Sequence, residues 1–333
     1  MNICLVMAGD EEGGLEKHVV ELAAGLAERG HHVSLIAHEK YRARLHPAID
    51  FYAVNLAKSR RNLIVLFQLW YVLRQIAPDV VHAHGNKAAA MVGPLLRWLN
   101  VGSVATLHSK KNNTRMFAPF AAVIAVSAIA GEAIRHPMVR VILNGIAPPL
   151  QHERQHQQPP MVLAVGRLVP VKGFDVLIRA WRDLPAQLWI VGDGMLQAEL
   201  EQLIQAEQQQ DRIRLLGVRH DVTDLMQQAE LFVMSSQYEG CPYTMIEALL
   251  TQTPMVSTAV GAMRDILPAQ YLCPPNQPDA LYQLIQHALA QPVQLNADFQ
   301  VVFKWADQAL SLTGMIVQIE QVYQDVITQG KKE

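Results

Sequence analysis

The sequence of 333 residues predicts a two-domain α/β protein in which each domain contains a parallel sheet. Short apolar runs alternate with helix-like segments along the chain, as in sheets built from βαβ units. A polar stretch rich in Gln and Pro, 148–160, interrupts this alternation once. We therefore predict a first domain over 1–147, a linker over 148–160 and a second domain over 161–310.

Each domain is predicted to repeat the order strand, then helix. In the first domain the strands are 3–7, 33–37, 79–83, 101–107, 122–126 and 139–143, and the helices are 16–29, 62–76, 87–99 and 128–135. In the second the strands are 161–165, 187–191, 213–216, 231–234 and 255–257, and the helices are 174–182, 195–208, 222–228 and 244–251. The pattern from 279 onward is helical.

The composition is that of an ordinary folded enzyme, since 50% of the residues are apolar and 17% are charged. The three cysteines, Cys4, Cys241 and Cys273, have no metal-ligand or redox spacing, and their odd number argues against a disulfide framework. No secretory leader is visible, and the longest apolar stretch, 63–73, is too short to span a bilayer. We therefore expect a cytoplasmic protein.

Charge is divided unevenly along the chain. Residues 1–157 carry 17 basic and 11 acidic side chains, whereas residues 158–333 carry 11 and 19. One basic cluster directly precedes a predicted helix with aromatic residues; the residues concerned are Lys58, Arg60, Arg61, Phe67, Trp70 and Tyr71. This segment predicts either a surface that docks on an anionic membrane leaflet, or a helix whose aromatic residues are core and whose cations are merely solvated.

The most informative feature is a pair of acids, Glu239 and Glu247, that follows the apolar run 231–234. The run is predicted to be a buried strand, and 245–251 a helix whose first turn carries Glu247. The carboxyl ends of parallel strands bind ligands, and the intervening turn with Gly240 and Pro242 exposes backbone N–H groups that suit an anion. The alternative is two surface acids beside a helix start.

Two cations, Arg167 and Lys172, follow the strand 161–165 and its terminal Gly166. They stand before a predicted helix, where cations are disfavoured unless an anion is bound nearby. A guanidinium and an ammonium at this spacing can converge on a diphosphate. We therefore predict that the two side chains bind phosphate.

These motifs resemble the E-x7-E and G-R…KG elements of retaining GT-B glycosyltransferases of family 4. The weaker pair Gly13-Gly14 resembles the GG-x-E loop of that family, although a tight turn alone would also explain it. The turns after two further strands, at Gly192 and at Val218-Arg219, match its VG-x-G and base-holding loops. The sequence departs from the family pattern in lacking an acid at Ala147 and a second glycine beside Gly261.

Histidines end two strands of the first domain. His82 and His84 have no third ligand in sequence reach, which argues against a zinc site. His84 and His108 match family positions that line the donor sugar or the acceptor, and structural histidines are the alternative.

The resemblance implies a GT-B fold, with two Rossmann-like parallel-sheet domains facing a central cleft, and a last helix (311–333) that packs back on the first domain. It implies retaining transfer of a sugar from a nucleotide-diphosphate donor, most often UDP-linked, to a saccharide or lipid-linked acceptor without a metal or other cofactor. It further implies a role in bacterial lipopolysaccharide, polysaccharide or glycolipid synthesis, on the inner face of the membrane, with no nucleic-acid partner. A nucleotide-sugar 2-epimerase and a non-catalytic solute-binding protein remain the alternatives.

The implied site residues fall into three groups. The catalytic group is Glu239, His108, Arg167 and Lys172. The donor-binding group is Gly13, Gly14, Arg167, Lys172, Gly192, Val218, Arg219, Glu239, Gly240, Cys241, Pro242, Tyr243, Thr244 and Glu247. The acceptor-side group is His84 and Lys110.

Overall fold

The computed structural model describes residues 1–9, 13–108, 113–149 and 159–330. The chain forms two compact units, one made of Met1–Ile146 and the C-terminal helix, the other of Ala147–Leu310. Each unit is an α/β domain with one fully parallel sheet, which confirms the predicted fold class. None of the helices in the described ranges is long and apolar enough to cross a membrane.

The first unit contains a seven-stranded sheet in the order β3-β2-β1-β4-β5-β6-β7. Its strands are β1 Asn2–Met7, β2 His32–Ala37, β3 Ile49–Ala53, β4 Val80–His84, β5 Gly102–Leu107, β6 Ala122–Ala125 and β7 Val139–Val141. Its helices are α1 Gly14–Glu28, α2 Leu63–Ile76, α3 Gly85–Val92, α4 Ala128–Glu132 and, from the chain end, α12 Leu312–Gly330. Apolar clusters cover both faces of the sheet, as a buried parallel sheet requires.

Helix α12 belongs to the first unit because its apolar face packs against α1 and β5. A Cβ atom at Gly25 of α1 would overlap the Ile316 side chain, so the two helices approach closely only because Gly25 has none. At the end of α1, Arg29 donates from Nε and Nη2 to the two carboxylate oxygens of Glu320, both at 2.8 Å. The chain end is therefore fixed on the first unit by packing and by an ion pair.

The second unit contains a six-stranded sheet in the order β10-β9-β8-β11-β12-β13. Its strands are β8 Met161–Val165, β9 Gln187–Val191, β10 Ile213–Leu215, β11 Leu231–Met234, β12 Met255–Thr258 and β13 Leu272–Cys273. Its helices are α5 Phe174–Ala180, α6 Gln197–Ala206, α7 Val222–Gln228, α8 Tyr243–Leu250, α9 Met263–Ile266, α10 Pro278–Ala290 and α11 Pro292–Ala309.

In both units the strand order reverses at the centre of the sheet, between β1 and β4 and between β8 and β11. The loops that leave two such strands turn to opposite faces, which opens a crevice at their carboxyl ends where α/β proteins bind ligands. The segments after β1, β4, β8 and β11 are therefore the ones that topology selects for function.

Two details differ from the sequence prediction. Strands β3 and β13 were not predicted; β3 contains Asp50 and is half exposed, and β13 has only two residues. The helix predicted over 87–99 begins at Gly85, ends at Val92 and continues as a 3-10 segment, Gly93–Trp98. Pro94 explains the change, because proline has no N–H to donate and its ring clashes with the preceding helical turn.

Candidate active site

The crevice of the second unit contains a short ion pair. Lys172, in the loop after β8, donates from Nζ to Oε1 of Glu239, in the loop after β11, at 2.6 Å. The Lys172 and Glu239 side chains are only 20% and 12% exposed. Ser236 Oγ donates to the same oxygen at 2.8 Å, whereas Oε2 of Glu239 makes no hydrogen bond within the described chain. The structure thus joins two residues that the sequence assigned to separate roles.

The two loops that carry this pair are bonded to each other. Ser235 Oγ donates to the carbonyl of Lys172 at 2.9 Å, and the Gln237 N–H donates to the carbonyl of Val171 at 2.8 Å. Gly173 has φ +63°, and a Cβ atom there would overlap the carbonyl oxygen of Ser235. Glycine is therefore required at this turn, and the backbone holds the ion pair in place before any ligand binds.

The neighbouring loops pack against these two through other glycines. After β9, Gly192 (φ +136°) lies against the carbonyl of Gly166. After β12, Gly261 (φ +54°) lies against the carbonyl of Gly240, which also accepts from the Ala262 N–H at 2.7 Å. Four strand-end loops thus form one continuous backbone surface around the crevice, and Gly192 and Gly240 lie in this surface.

Helix α8 begins at Tyr243, two residues earlier than the predicted 245, so Glu247 lies in its second turn and the first-turn prediction was wrong. Pro242 stands at the N-cap, and the side chains of Cys241 and Tyr243 are buried. Thr244 Oγ1 is buried without a hydrogen-bond partner in the described chain. A buried hydroxyl without a partner costs free energy, so the first turn of α8 offers a polar group to a ligand.

Arg167 and Arg219 lie differently from the buried pair. Arg167 is exposed and makes no side-chain hydrogen bond or ion pair with another described residue. Arg219 is paired through Nε and Nη2 with the Asp221 carboxylate at 2.8 and 2.6 Å, and this pairing lowers the pKa of Asp221. Arg219 therefore shapes its own loop, next to the exposed Val218, while Arg167 is available to an anion.

The crevice of the first unit is lined by histidines. His84 ends β4, His108 follows β5, and His18, which the sequence analysis did not single out, lies in the second turn of α1. Ligand atoms of all three lie within 4.8 Å of one another. Gly85 (φ +80°) allows this approach, because a Cβ atom there would lie 2.9 Å from Leu15 at the start of α1.

Burial keeps these imidazoles neutral. It lowers the pKa of His18 to about 4, an effect that Asn144 partly opposes, and it holds the pKa values of His84 and His108 well below the usual range. His82 is a structural residue, since Nδ1 contacts the Tyr323 hydroxyl at 2.6 Å and Nε2 contacts Thr106 Oγ1 at 2.7 Å. Gly13 and Gly14 begin α1 beside this cluster, and the predicted acceptor residue Lys110 lies outside the described residues.

Comparison with known proteins identifies the family. Residues 12–149 match the model "Glycosyltransferase Family 4", and residues 150–300 match "Glycosyl transferases group 1". The chain belongs to glycosyltransferase family 4. The predicted GT-B fold is confirmed by the Anabaena protein Alr3699/HepE, solved in complex with UDP, which aligns with a TM-score of 0.83 and 20% identity over 98% of this chain and 100% of that one.

Two relatives of this chain are named for specific reactions. One subunit of the human phosphatidylinositol N-acetylglucosaminyltransferase is 27% identical over 92% of this chain and 74% of its own length. The lipopolysaccharide core biosynthesis glycosyltransferase LpsE of Rhizobium meliloti is 28% identical over 74% of this chain and 76% of its own. This protein is therefore a glycosyltransferase of the GT-B type.

Proposed function

We propose that this glycosyltransferase transfers a sugar from a UDP-linked donor to an acceptor hydroxyl with retention of anomeric configuration and without a metal ion. The observation that carries the proposal is the Lys172–Glu239 pair at the strand-order reversal of the second unit, where seven residues separate Glu239 from Glu247 in α8. The UDP and UDP-glucose complexes of the Anabaena protein, which has the same fold, support this choice of donor.

Each site residue has a chemical role in this reaction. The Lys172 ammonium and the exposed Arg167 guanidinium stabilise the charge that develops on the leaving diphosphate. Oε2 of Glu239 accepts from a hydroxyl of the donor sugar while Oε1 stays with Lys172, and Glu247 binds the ribose hydroxyls. The bond from the anomeric carbon to the phosphate oxygen breaks, the bond to the acceptor oxygen forms on the same face, and the diphosphate takes the acceptor proton.

A two-step experiment separates this activity from the alternatives. A UDP-sugar panel is first screened by thermal shift, because a ligand at 100 times its dissociation constant stabilises by about 2.7 kcal/mol. The best donor is then incubated with and without acceptors, and UDP, free sugar and anomeric configuration are followed by NMR. A retaining glycosyltransferase releases UDP and forms a product whose anomeric configuration, α or β, is the same as that of the donor. Epimer formation without an acceptor would indicate an epimerase, and binding without turnover a solute-binding protein.

For the acceptor, we infer a lipid-linked saccharide that is reached at an anionic membrane surface. One face of α2 packs in the core through Val65, Leu69 and Leu73, whereas other apolar side chains of the helix are exposed to solvent: Leu63 is 79%, Ile64 70%, Phe67 63% and Tyr71 51% exposed. Trp70 is partly buried. Asn62 Oδ1 caps the helix by accepting from the N–H groups of the second and third residues after it at 3.1 and 3.3 Å. The exposed face therefore lies on a well-formed helix.

The charge around α2 matches an anionic surface. Residues 51–131 contain nine Lys and Arg side chains and a single acid, Asp79. Lys58, Arg60 and Arg61 are located immediately before α2. Each cation near an anionic leaflet contributes about 1 kcal/mol, so these three together favour the bound state by roughly 100-fold. The names of the human and Rhizobium relatives, a phosphatidylinositol and a lipopolysaccharide glycosyltransferase, support a lipid-linked acceptor in cell-surface synthesis.

Liposome co-sedimentation tests the membrane surface. The protein should bind vesicles that contain anionic lipid, and binding should weaken with salt. Neutralising Lys58, Arg60 and Arg61 together with Gln should abolish most of this binding. A matched control neutralises three exposed cations of the second unit, Arg214, Arg264 and Lys304, and should leave binding unchanged. Equal loss in both triple variants, or equal recovery with neutral vesicles, would contradict docking through α2.

A further inference from the structure

The three histidines of the first unit are spaced as metal ligands are. Their ring centres are 5.4 Å apart for His18 and His84, 4.8 Å for His18 and His108, and 5.7 Å for His84 and His108. A tetrahedral ion that binds nitrogen at about 2.0–2.1 Å would place three imidazole centres about 5.2 Å apart. The observed spacing of the ring centres therefore matches a three-imidazole metal position, and ligand atoms of the three rings lie within 4.8 Å of one another.

The state of the rings also suits a metal. His18 is 2% and His84 1% exposed, and neither ring nitrogen of His84 has a hydrogen-bond partner in the described chain. Nε2 of His108 likewise lacks one. Each such nitrogen loses its hydration on folding without compensation within the described chain, and a bound ion would supply that compensation.

A neighbouring histidine shows what a structural imidazole looks like here. The His82 ring lies 4.0 Å from that of His84 and is equally buried. Both of its nitrogens are occupied, by Tyr323 and Thr106. The contrast between His82 and His84 indicates that the fold supplies partners to an imidazole that serves the core, and leaves the His84 ring for a ligand.

We propose that His18, His84 and His108 form a binding site for a divalent transition metal of the zinc class, with three imidazole ligands and one open position. Imidazole suits zinc, copper and nickel ions, whereas magnesium and calcium prefer oxygen ligands. The site is distinct from the diphosphate position at Lys172. The effect of a bound ion on turnover rests on the proposed function. If His84 and His108 contact the donor sugar or the acceptor, an ion bound to both imidazoles blocks those contacts and inhibits transfer.

Cobalt titration tests the site without reference to activity. Metal-free protein should bind one Co²⁺ per chain with the intense visible bands of a tetrahedral complex, and Zn²⁺ should displace it. His18→Gln and His84→Gln should each weaken binding roughly 10-fold or more, since even the loss of a residue that only supports a ligand costs 10- to 100-fold. The control variant His287→Gln, which changes an exposed histidine of α10, should bind Co²⁺ as tightly as the unchanged protein does.

The outcomes are distinguishable even if a buried variant fails to fold. X-ray absorption of the zinc-loaded unchanged protein should show three imidazole ligands. Binding no tighter than to free imidazole, an octahedral cobalt spectrum, or equal binding in folded His18→Gln and His84→Gln would overturn the site. In the UDP-release assay, Zn²⁺ should inhibit and EDTA should restore the rate. Inhibition that persists in the folded histidine variants would overturn the inhibitory role, whereas absence of any turnover would contradict only the proposed function.

Discussion

Removing either member of the Lys172–Glu239 pair tests whether the two residues act as one unit. Lys172→Met and Glu239→Gln keep the length of each side chain and remove its charge. Each leaves the partner charge in a position where the side chains are 20% and 12% exposed. Because the loops are bonded backbone to backbone, the remaining charge cannot readily move into solvent.

The magnitude follows from this partial burial. Breaking a fully buried pair costs about 3–5 kcal/mol, whereas an exposed pair contributes at most about 1 kcal/mol. At these exposures we expect each single substitution to lower the free energy of unfolding of the second unit by about 1–3 kcal/mol. The double substitution removes both charges, so it should cost less than the sum of the two, with a coupling free energy of about 1–2 kcal/mol.

The unchanged protein, the two single variants and the double variant form a double-mutant cycle. Urea unfolding of these four proteins, monitored by signals from the second unit, measures the coupling free energy. Ser236→Ala is the matched control, since it removes a hydrogen bond to the same Glu239 oxygen without removing either charge and should cost about 1.5–3 kcal/mol. UDP titration adds an independent result. Lys172→Met should weaken UDP binding about 10- to 100-fold, while Glu239→Gln should leave it intact, because the freed ammonium still binds the diphosphate. Additive stabilities, or equal loss of UDP affinity in both variants, would refute the reasoning.

Four further predictions follow from the same structure. Turnover should persist in EDTA, and its complete loss with recovery on adding manganese would contradict the diphosphate role of Arg167 and Lys172. Arg167→Ala should lower donor affinity or turnover about 10-fold or more in UDP-release assays, and an unchanged rate would remove Arg167 from the site. Glu247→Ala should weaken UDP binding as measured by calorimetry, and an unchanged UDP affinity would disprove the role of Glu247 in binding the ribose. Glu320→Gln should destabilise the first unit by about 1–2 kcal/mol in thermal unfolding at pH 7.

The destabilisation caused by Glu320→Gln should depend on pH. Arg29, and secondarily His31, lowers the pKa of the Glu320 carboxyl in the folded protein. Its stabilisation is therefore fully present above the unfolded value near 4.5 and is lost as the pH falls through the lower folded value. The stability difference between the unchanged protein and Glu320→Gln should shrink in this acid range. If the stability difference stays constant down to the lowest pH, the destabilisation by Glu320→Gln does not come from the lost charge.

The sequence was sufficient to predict the fold class and most strands because buried parallel strands are uniform apolar runs. It was insufficient for β3 and β13, where partial exposure or a length of two residues removes that signal. The helix from Leu63 was predicted, yet its exposure could not be, since an apolar helix has the same pattern whether it packs in a core or faces a membrane. The structure shows that one face of this helix belongs to the core and that the other is exposed.

The same limit applies to the site. Spacing along the chain identified Arg167, Lys172, Glu239 and Glu247, because these lie within two short segments. It could not predict that Lys172 bonds to Glu239, 67 residues away, or that His18 on a helix lies beside His84 and His108 on two strand ends. The argument against a metal at His82 and His84 considered only ligands near in sequence, whereas the histidines that lie close to His84 belong to other elements.

Strand order explains why these distant residues meet. In both units the first strand lies beside the fourth, so the loop after the first strand and the loop after the fourth open the same crevice. Lys172 and Glu239 occupy these two loops in the second unit, while the α1 turn that carries His18 and the β4 end that carries His84 occupy them in the first. A sequence gives the strands but not their order. The order is fixed by packing across the whole sheet, and it is this order that turns separate motifs into two sites.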